Sequence, residues 1–273
     1  MSDHRPIGVF DSGIGGLTVL NAIQQALPSE RLFYFGDTAH MPYGPRTLEE
    51  VRTFSEGITQ AFLAMDCKMI VIACNTASAA ALSDLREQFP AVPFVGMEPA
   101  VKPAVEQTTT GVVGVLATQA TFQSDLYASV VERFASSVQV LHQPCPGLVE
   151  RIESGEFTTP DTEAMLRRWL EPMMARNIDA LVLGCTHYPI IRPLIERIVG
   201  PDVRVIDPAP FIARQVDRLL DQRDQAAGPD ASNGTTVWTS GDPSLFLAMM
   251  GRMGWPPTEV RSATWNEGVL TPA

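Results

Sequence analysis

Cysteine is scarce in this chain. Four occur in 273 residues, at positions 67, 74, 145 and 185, with no closely spaced pairs. That excludes a small disulfide-stapled fold, and free thiols are the expectation. No apolar run reaches the ~18 residues that suggest a membrane span. The opening Met-Ser-Asp-His-Arg-Pro is polar and has no leader-like apolar stretch. A cytoplasmic protein without membrane contact is therefore expected. Cations are in the minority, with 20 Lys and Arg against 31 Asp and Glu and a net charge of −11. Phosphate contacts need clustered Lys and Arg, so direct nucleic-acid binding is not expected. Histidine occurs only four times, which narrows the choice of proton carriers.

Apolar residues are plentiful. Hydrophobic residues make up 45% and charged residues 19%, enough for a large core, and the length suits two domains. Short apolar runs at 7–10, 32–35, 69–73, 94–96, 112–116, 138–141, 180–183 and 203–206 alternate with helical patterns. The helical patterns cover 17–27, 48–64, 77–88, 120–134, 162–176, 190–199 and 210–221. Such alternation predicts mostly parallel sheets with helices on both faces. Residues 221–236 are polar and aperiodic and read as an exposed loop.

The pattern repeats. Gly8-Val9-Phe10-Asp11-Ser12 is echoed by Gly114-Val115-Leu116-Ala117-Thr118, and Ala73-Cys74-Asn75-Thr76 by Gly184-Cys185-Thr186-His187. Phe94-Val95-Gly96 through Pro99 is echoed by Val203-Arg204-Val205 through Pro208. The expected fold class is α/β, with two pseudo-symmetric parallel-sheet domains from an internal duplication and the active site in the cleft between them. Residues 1–97 plus 208–273 form the first domain and 98–207 the second.

Chemistry in such folds sits just past the carboxyl ends of the strands. Cys74 and Cys185 both fall there, each before a stretch able to start a helix, where the dipole favours a thiolate. A single such thiol would most simply be a small buried hydrophobe. Two at matching places suggest a pair serving one reaction, such as moving a proton from one face of a carbon to the other. His187, two residues past Cys185, is placed to support it. Asp11-Ser12-Gly13-Ile14-Gly15-Gly16 opens a helix, but Thr18 stands where a dinucleotide fingerprint has its third glycine. Asp37 ends the second strand, and Pro42-Tyr43-Gly44 could offer backbone N–H groups to a carboxylate. Cys67 and Cys145 look structural. A zinc centre of Cys74, Cys185 and His187 is a rival reading, although Cys-x-His is tighter than the usual zinc spacings. A regulatory binding module is another.

Four motifs occur in order: Val9-Phe10-Asp11-Ser12-Gly13-Ile14-Gly15-Gly16, Gly36-Asp37-Thr38 with Pro42-Tyr43-Gly44, Ala73-Cys74-Asn75-Thr76-Ala77, and Leu183-Gly184-Cys185-Thr186-His187-Tyr188-Pro189. Together they resemble the cofactor-independent aspartate/glutamate racemases, and Thr239-Ser240-Gly241-Asp242 also fits that family's C-terminal part. The resemblance implies interconversion of L- and D-glutamate, with D-glutamate feeding peptidoglycan synthesis. It implies Cys74 and Cys185 as the two acid/base residues, Asp11 assisting Cys74, and His187 assisting Cys185. Asp37 and Glu153 match family positions with a supporting electrostatic role. Asp11, Ser12, Tyr43, Gly44, Asn75, Thr76, Thr186 and His187 match substrate-binding positions, and Thr118 and Thr121 would add carboxylate contacts. No cofactor and no metal are expected, and a homodimer is.

Overall fold

The computed structural model describes residues 2–228, 234–256 and 258–272. The chain forms two compact units, Met1–Met97 with Ala209–Ala273, and Glu98–Pro208. In chain order the first unit opens with β1 (Ile7–Asp11), α1 (Leu17–Ala26), β2 (Arg31–Gly36), α2 (Leu48–Ala64), β3 (Met69–Ile72), α3 (Asn75–Gln88) and β4 (Phe94–Gly96). The second unit runs through α4 (Val101–Gln107), β5 (Val112–Ala117), α5 (Gln119–Phe122), α6 (Asp125–Phe134), β6 (Gln139–Pro144), α7 (Leu148–Glu153), α8 (Pro160–Met174), β7 (Ala180–Gly184), α9 (Arg192–Val199) and β8 (Arg204–Ile206). The first unit is completed by α10 (Ala209–Gln222), β9 (Gly234–Thr239), α11 (Pro243–Arg252), β10 (Val260–Asn266) and β11 (Val269–Pro272).

The first unit carries a seven-stranded sheet in the order β11-β10-β9-β2-β1-β3-β4, and the second a four-stranded sheet in the order β6-β5-β7-β8. The order β2-β1-β3-β4 is thus repeated as β6-β5-β7-β8. All pairings are parallel except β10 with β11. That antiparallel hairpin was not expected from the apolar pattern. Its turn is Glu267-Gly268, both at positive φ (49° and 81°), the backbone a two-residue hairpin loop requires. β1, β3 and β7 are buried along their whole length, as parallel strands covered on both faces must be. Gly8 and Gly114 hold matching places in β1 and β5. A Cβ on Gly8 would stand 2.6 Å from the Phe62 ring, and one on Gly114 would stand 2.9 Å from Leu181. Bare backbone at these points lets large side chains pack against each first strand.

Local capping explains several boundaries. Thr47 and Glu50 form a reciprocal capping box at the start of α2. The single helix expected over 120–134 is two, α5 and α6, because Ser124 accepts from the Tyr127 N–H and starts a new helix. The helix expected over 190–199 begins instead with a 3₁₀ turn, Tyr188–Ile191, and becomes α9 at Arg192. Pro189 and Pro193 lack N–H groups and sit only in the opening turns of these two segments. α4 is not among the helical patterns read from the sequence; its Pro103 falls in the first turn, where no N–H is required. The loop expected over 221–236 gives way to β9 at Gly234, and its residues 229–233 lie outside the described residues. Among the described residues no helix is long and apolar enough to cross a membrane.

Candidate active site

Each unit gathers polar residues at the carboxyl ends of three adjacent strands. In the first, Asp11 ends β1, Asp37 follows β2 and Cys74 follows β3. In the second, Thr118 follows β5, Cys145 follows β6 and Cys185 follows β7. Backbone bonds fix the correspondence. Asp37 N–H donates to Asp11 C=O at 2.9 Å, and Cys145 N–H donates to Ala117 C=O at 3.1 Å. The internal echo therefore pairs Asp11 with Ala117, Asp37 with Cys145, and Cys74 with Cys185.

Cys74 is the N-cap of α3, and its sulfur accepts from the Ala77 N–H at 3.5 Å. Negative charge on that sulfur is supported by the helix N-terminus. Asn75 and Thr76 form the first turn and are buried. The Asn75 carboxamide has no hydrogen-bond partner among the described residues. A buried amide without partners is costly, and a polar ligand would relieve that cost. Asp11 is fully buried and accepts from the Gly16 N–H at 2.6 Å, which ties the glycine loop together. Ser12 is buried beside it.

Asp37 is saturated by donors. Tyr43 Oη–H donates to Oδ2 at 2.6 Å, Ser240 Oγ–H to Oδ1 at 2.7 Å and Trp265 Nε1–H to Oδ1 at 2.8 Å, while His40 Nδ1 lies 2.9 Å from Oδ2. Burial first, and then the neighbouring Asp37 carboxylate, hold the Tyr43 phenol well above its ordinary pKa. The Tyr43 hydroxyl is thus a donor to Asp37, and what Tyr43 and Gly44 have left for a ligand is backbone. His40, Ser240 and Trp265 were not singled out as site residues from the sequence. The signal that existed was the Thr239-Ser240-Gly241-Asp242 motif. Trp265 lies 228 residues from Asp37, and nothing local announces it.

In the second unit His187 joins two partners. Its Nδ1 lies 3.8 Å from Cys185 Sγ, and its Nε2 lies 2.7 Å from Glu153 Oε1. Burial alone would push the histidine pKa down. Its hydrogen bonds to Cys185 and Glu153, with the charge on Glu153, outweigh this and hold it well above the usual value. Both ring nitrogens are thus engaged, one by the carboxylate and one beside the sulfur, and both contacts favour the protonated ring. Glu153 is the last residue of α7, so the helix end aims it at His187. Thr118 caps α5, with its hydroxyl 2.9 Å from that of Thr121, and Thr186 is buried next to Cys185. Burial pushes the thiol of Cys67 up to about 12, and that of Cys145 higher still. All four cysteines are free. Among the described residues no three His, Cys, Asp or Glu side chains are grouped so as to hold a metal ion.

The family model described as Asp/Glu/Hydantoin racemase matches residues 7–216. A glutamate racemase of Roseiflexus sp. is 46% identical over 266 residues, covering 96% of this chain and 98% of its own length. A glutamate racemase of Bacillus anthracis has a crystal structure similar to this one, with a TM-score of 0.87 at 32% identity over 98% of this chain and 99% of that one. The Francisella tularensis glutamate racemase, solved in complex with D-glutamate, gives a TM-score of 0.83 at 33% identity, covering 95% of this chain and 97% of that one.

Proposed function

The chain belongs to the Asp/Glu/hydantoin racemase family, and we propose that it interconverts L- and D-glutamate by proton transfer between two thiols, without a cofactor. The observation that carries the reading is the equivalence of Cys74 and Cys185, each following the corresponding strand of a repeated four-strand order. One sulfur, as thiolate, takes the α-hydrogen as a proton and leaves the electron pair on the α-carbon. The opposite thiol delivers its proton to the other face, and the two cysteines end with their protonation states exchanged. Each positioned acid or base contributes roughly 10²–10⁴-fold.

The α-carboxylate gains charge as the proton leaves, so donors fixed beforehand are worth most in that state. Asn75 and Thr76 on α3, Thr186 beside Cys185, and Thr118 and Thr121 at the start of α5 are the proposed donors. Asp11 supports Cys74. His187, backed by Glu153, supplies a cation beside Cys185. Asp37 holds Tyr43, whose backbone with that of Gly44 receives the side-chain carboxylate. The product D-glutamate is the form used in peptidoglycan synthesis.

Free thiols suit a reducing cytoplasm. Self-association into a homodimer is part of the reading, supported by the exposed apolar side chains of Leu245 and Leu247 on α11 and Val269 on β11. Light scattering on a sizing column tests it. The function is tested by polarimetry with each enantiomer after dialysis against a chelator, with no cofactor added. Racemisation from both sides is expected. Activity that vanishes on dialysis and returns only with metal or pyridoxal phosphate would overturn the two-thiol mechanism.

A further inference from the structure

The segment after β9 is tied to the Asp37 loop by several separate bonds. Ser240 Oγ–H donates to Asp37 Oδ1 and also accepts from the Ala39 N–H at 2.9 Å. The hydroxyls of Thr38 and Thr239 are 2.7 Å apart. Trp265, on β10, brings its indole N–H to the same Oδ1 at 2.8 Å. The indole is itself held in place. A Cβ on Gly57 of α2 would come within 2.6 Å of its ring, so the ring lies against bare helix backbone. Its edge meets the His40 ring at 5.3 Å, and His40 stacks on Phe54 at 3.9 Å.

A buried carboxylate held by this many side chains has one fixed orientation, and that orientation fixes everything bonded to it. Tyr43 hangs from Oδ2, so the backbone at residues 43 and 44 is placed by Asp37. Asp37 in turn is placed by Ser240 and Trp265. The second unit has no counterpart, since Cys145 stands where Asp37 does. We propose that Trp265 is a positioning residue for substrate binding. Acting with Ser240 through Asp37 and Tyr43, it sets the 37–44 loop in the geometry that receives the substrate's side-chain carboxylate. This rests on the assignment of that loop to the substrate.

The test is steady-state racemisation of both enantiomers by the full-length parent, Trp265→Phe and Ser240→Ala. Phenylalanine keeps most of the ring contact and removes the N–H. Loss of a hydrogen bond that only orients the loop should raise KM about tenfold in both directions, with kcat changed less than about threefold. A merely structural role predicts another pattern, because a smaller folded fraction lowers apparent kcat and leaves KM unchanged. Ser240→Ala, a smaller change, should raise KM in the same sense, and it serves if Trp265→Phe folds poorly. An unchanged KM in a folded variant, or a loss confined to kcat, overturns the inference. A parent that does not racemise glutamate overturns the functional reading and this inference together. An active parent with an indifferent Trp265→Phe and Ser240→Ala overturns the inference alone.

Discussion

Glu153 Oε1 lies 2.7 Å from His187 Nε2, and both side chains are nearly sealed from solvent. The carboxylate lies on the far side of the ring from Cys185, so it raises the histidine pKa without competing for the sulfur. A histidine whose pKa is raised by folding stabilises the fold fully below its ordinary value, ~6.5. That contribution disappears as pH rises through the folded pKa.

Glu153→Gln should therefore lower the His187 pKa and move the basic limb of the kcat/KM profile to lower pH. The stability gap between parent and variant, measured by urea denaturation, should be wider at pH 6 than at pH 9. A basic limb that does not move would show that His187 does not set it.

Cys74→Ala and Cys185→Ala should each lower full racemisation by at least about 10²–10⁴-fold, the loss of one positioned acid/base. Each variant still holds one base. Given a β-chloro amino acid, each should eliminate chloride from one enantiomer only, with Cys74 serving the D form and Cys185 the L form. Equal elimination from both enantiomers by one variant would refute the assignment of one thiol per face.

His187→Asn gives a finer reading. Enantiomers of a free amino acid have equal energy, so kcat/KM must remain equal in the two directions for any variant. Asymmetry can appear only in kcat and KM separately or in isotope effects. The α-deuterium effect on kcat/KM should change in one direction, that in which Cys185 removes the proton. Unchanged effects on both sides would leave His187 a binding or structural residue.

Asp37→Asn keeps the shape but turns an acceptor-only group into one that also donates, and leaves donors unpaired. The expected loss is about 2–4 kcal/mol of stability, read from urea denaturation. Ser240→Ala removes one donor and should cost less.

Much of this was legible in the sequence because it is local. Apolar runs ended by Cys74 and Cys185 mark strands and the first residue beyond them. The offsets between echoed motifs disclose the repeat, and its strand order is repeated in the sheets. What escaped was decided by single residues or by distance. Ser124 restarts a helix that apolar periodicity runs straight through. Pro103 is harmless only because of where α4 begins. The His187–Glu153 pair joins residues 34 positions apart, and only the resemblance, not the spacing, suggested Glu153. Trp265 reaches Asp37 through sheet order: β9 lies beside β2, β10 beside β9, and no pattern within either strand records it.

The replacement of Asp37 by Cys145 in the second unit has a consequence for how the two halves diverge. A reaction between mirror images obliges the forward and reverse rate ratios to agree, but it places no such demand on the parts that produce them. One half carries a many-bonded carboxylate at the strand end two places along the sheet from that of its sulfur. The other sets a histidine bonded to a glutamate beside its sulfur and keeps a buried thiol at the corresponding corner. Selection sees only their combined throughput, so each half is free to drift chemically while the equilibrium between the products stays where thermodynamics puts it.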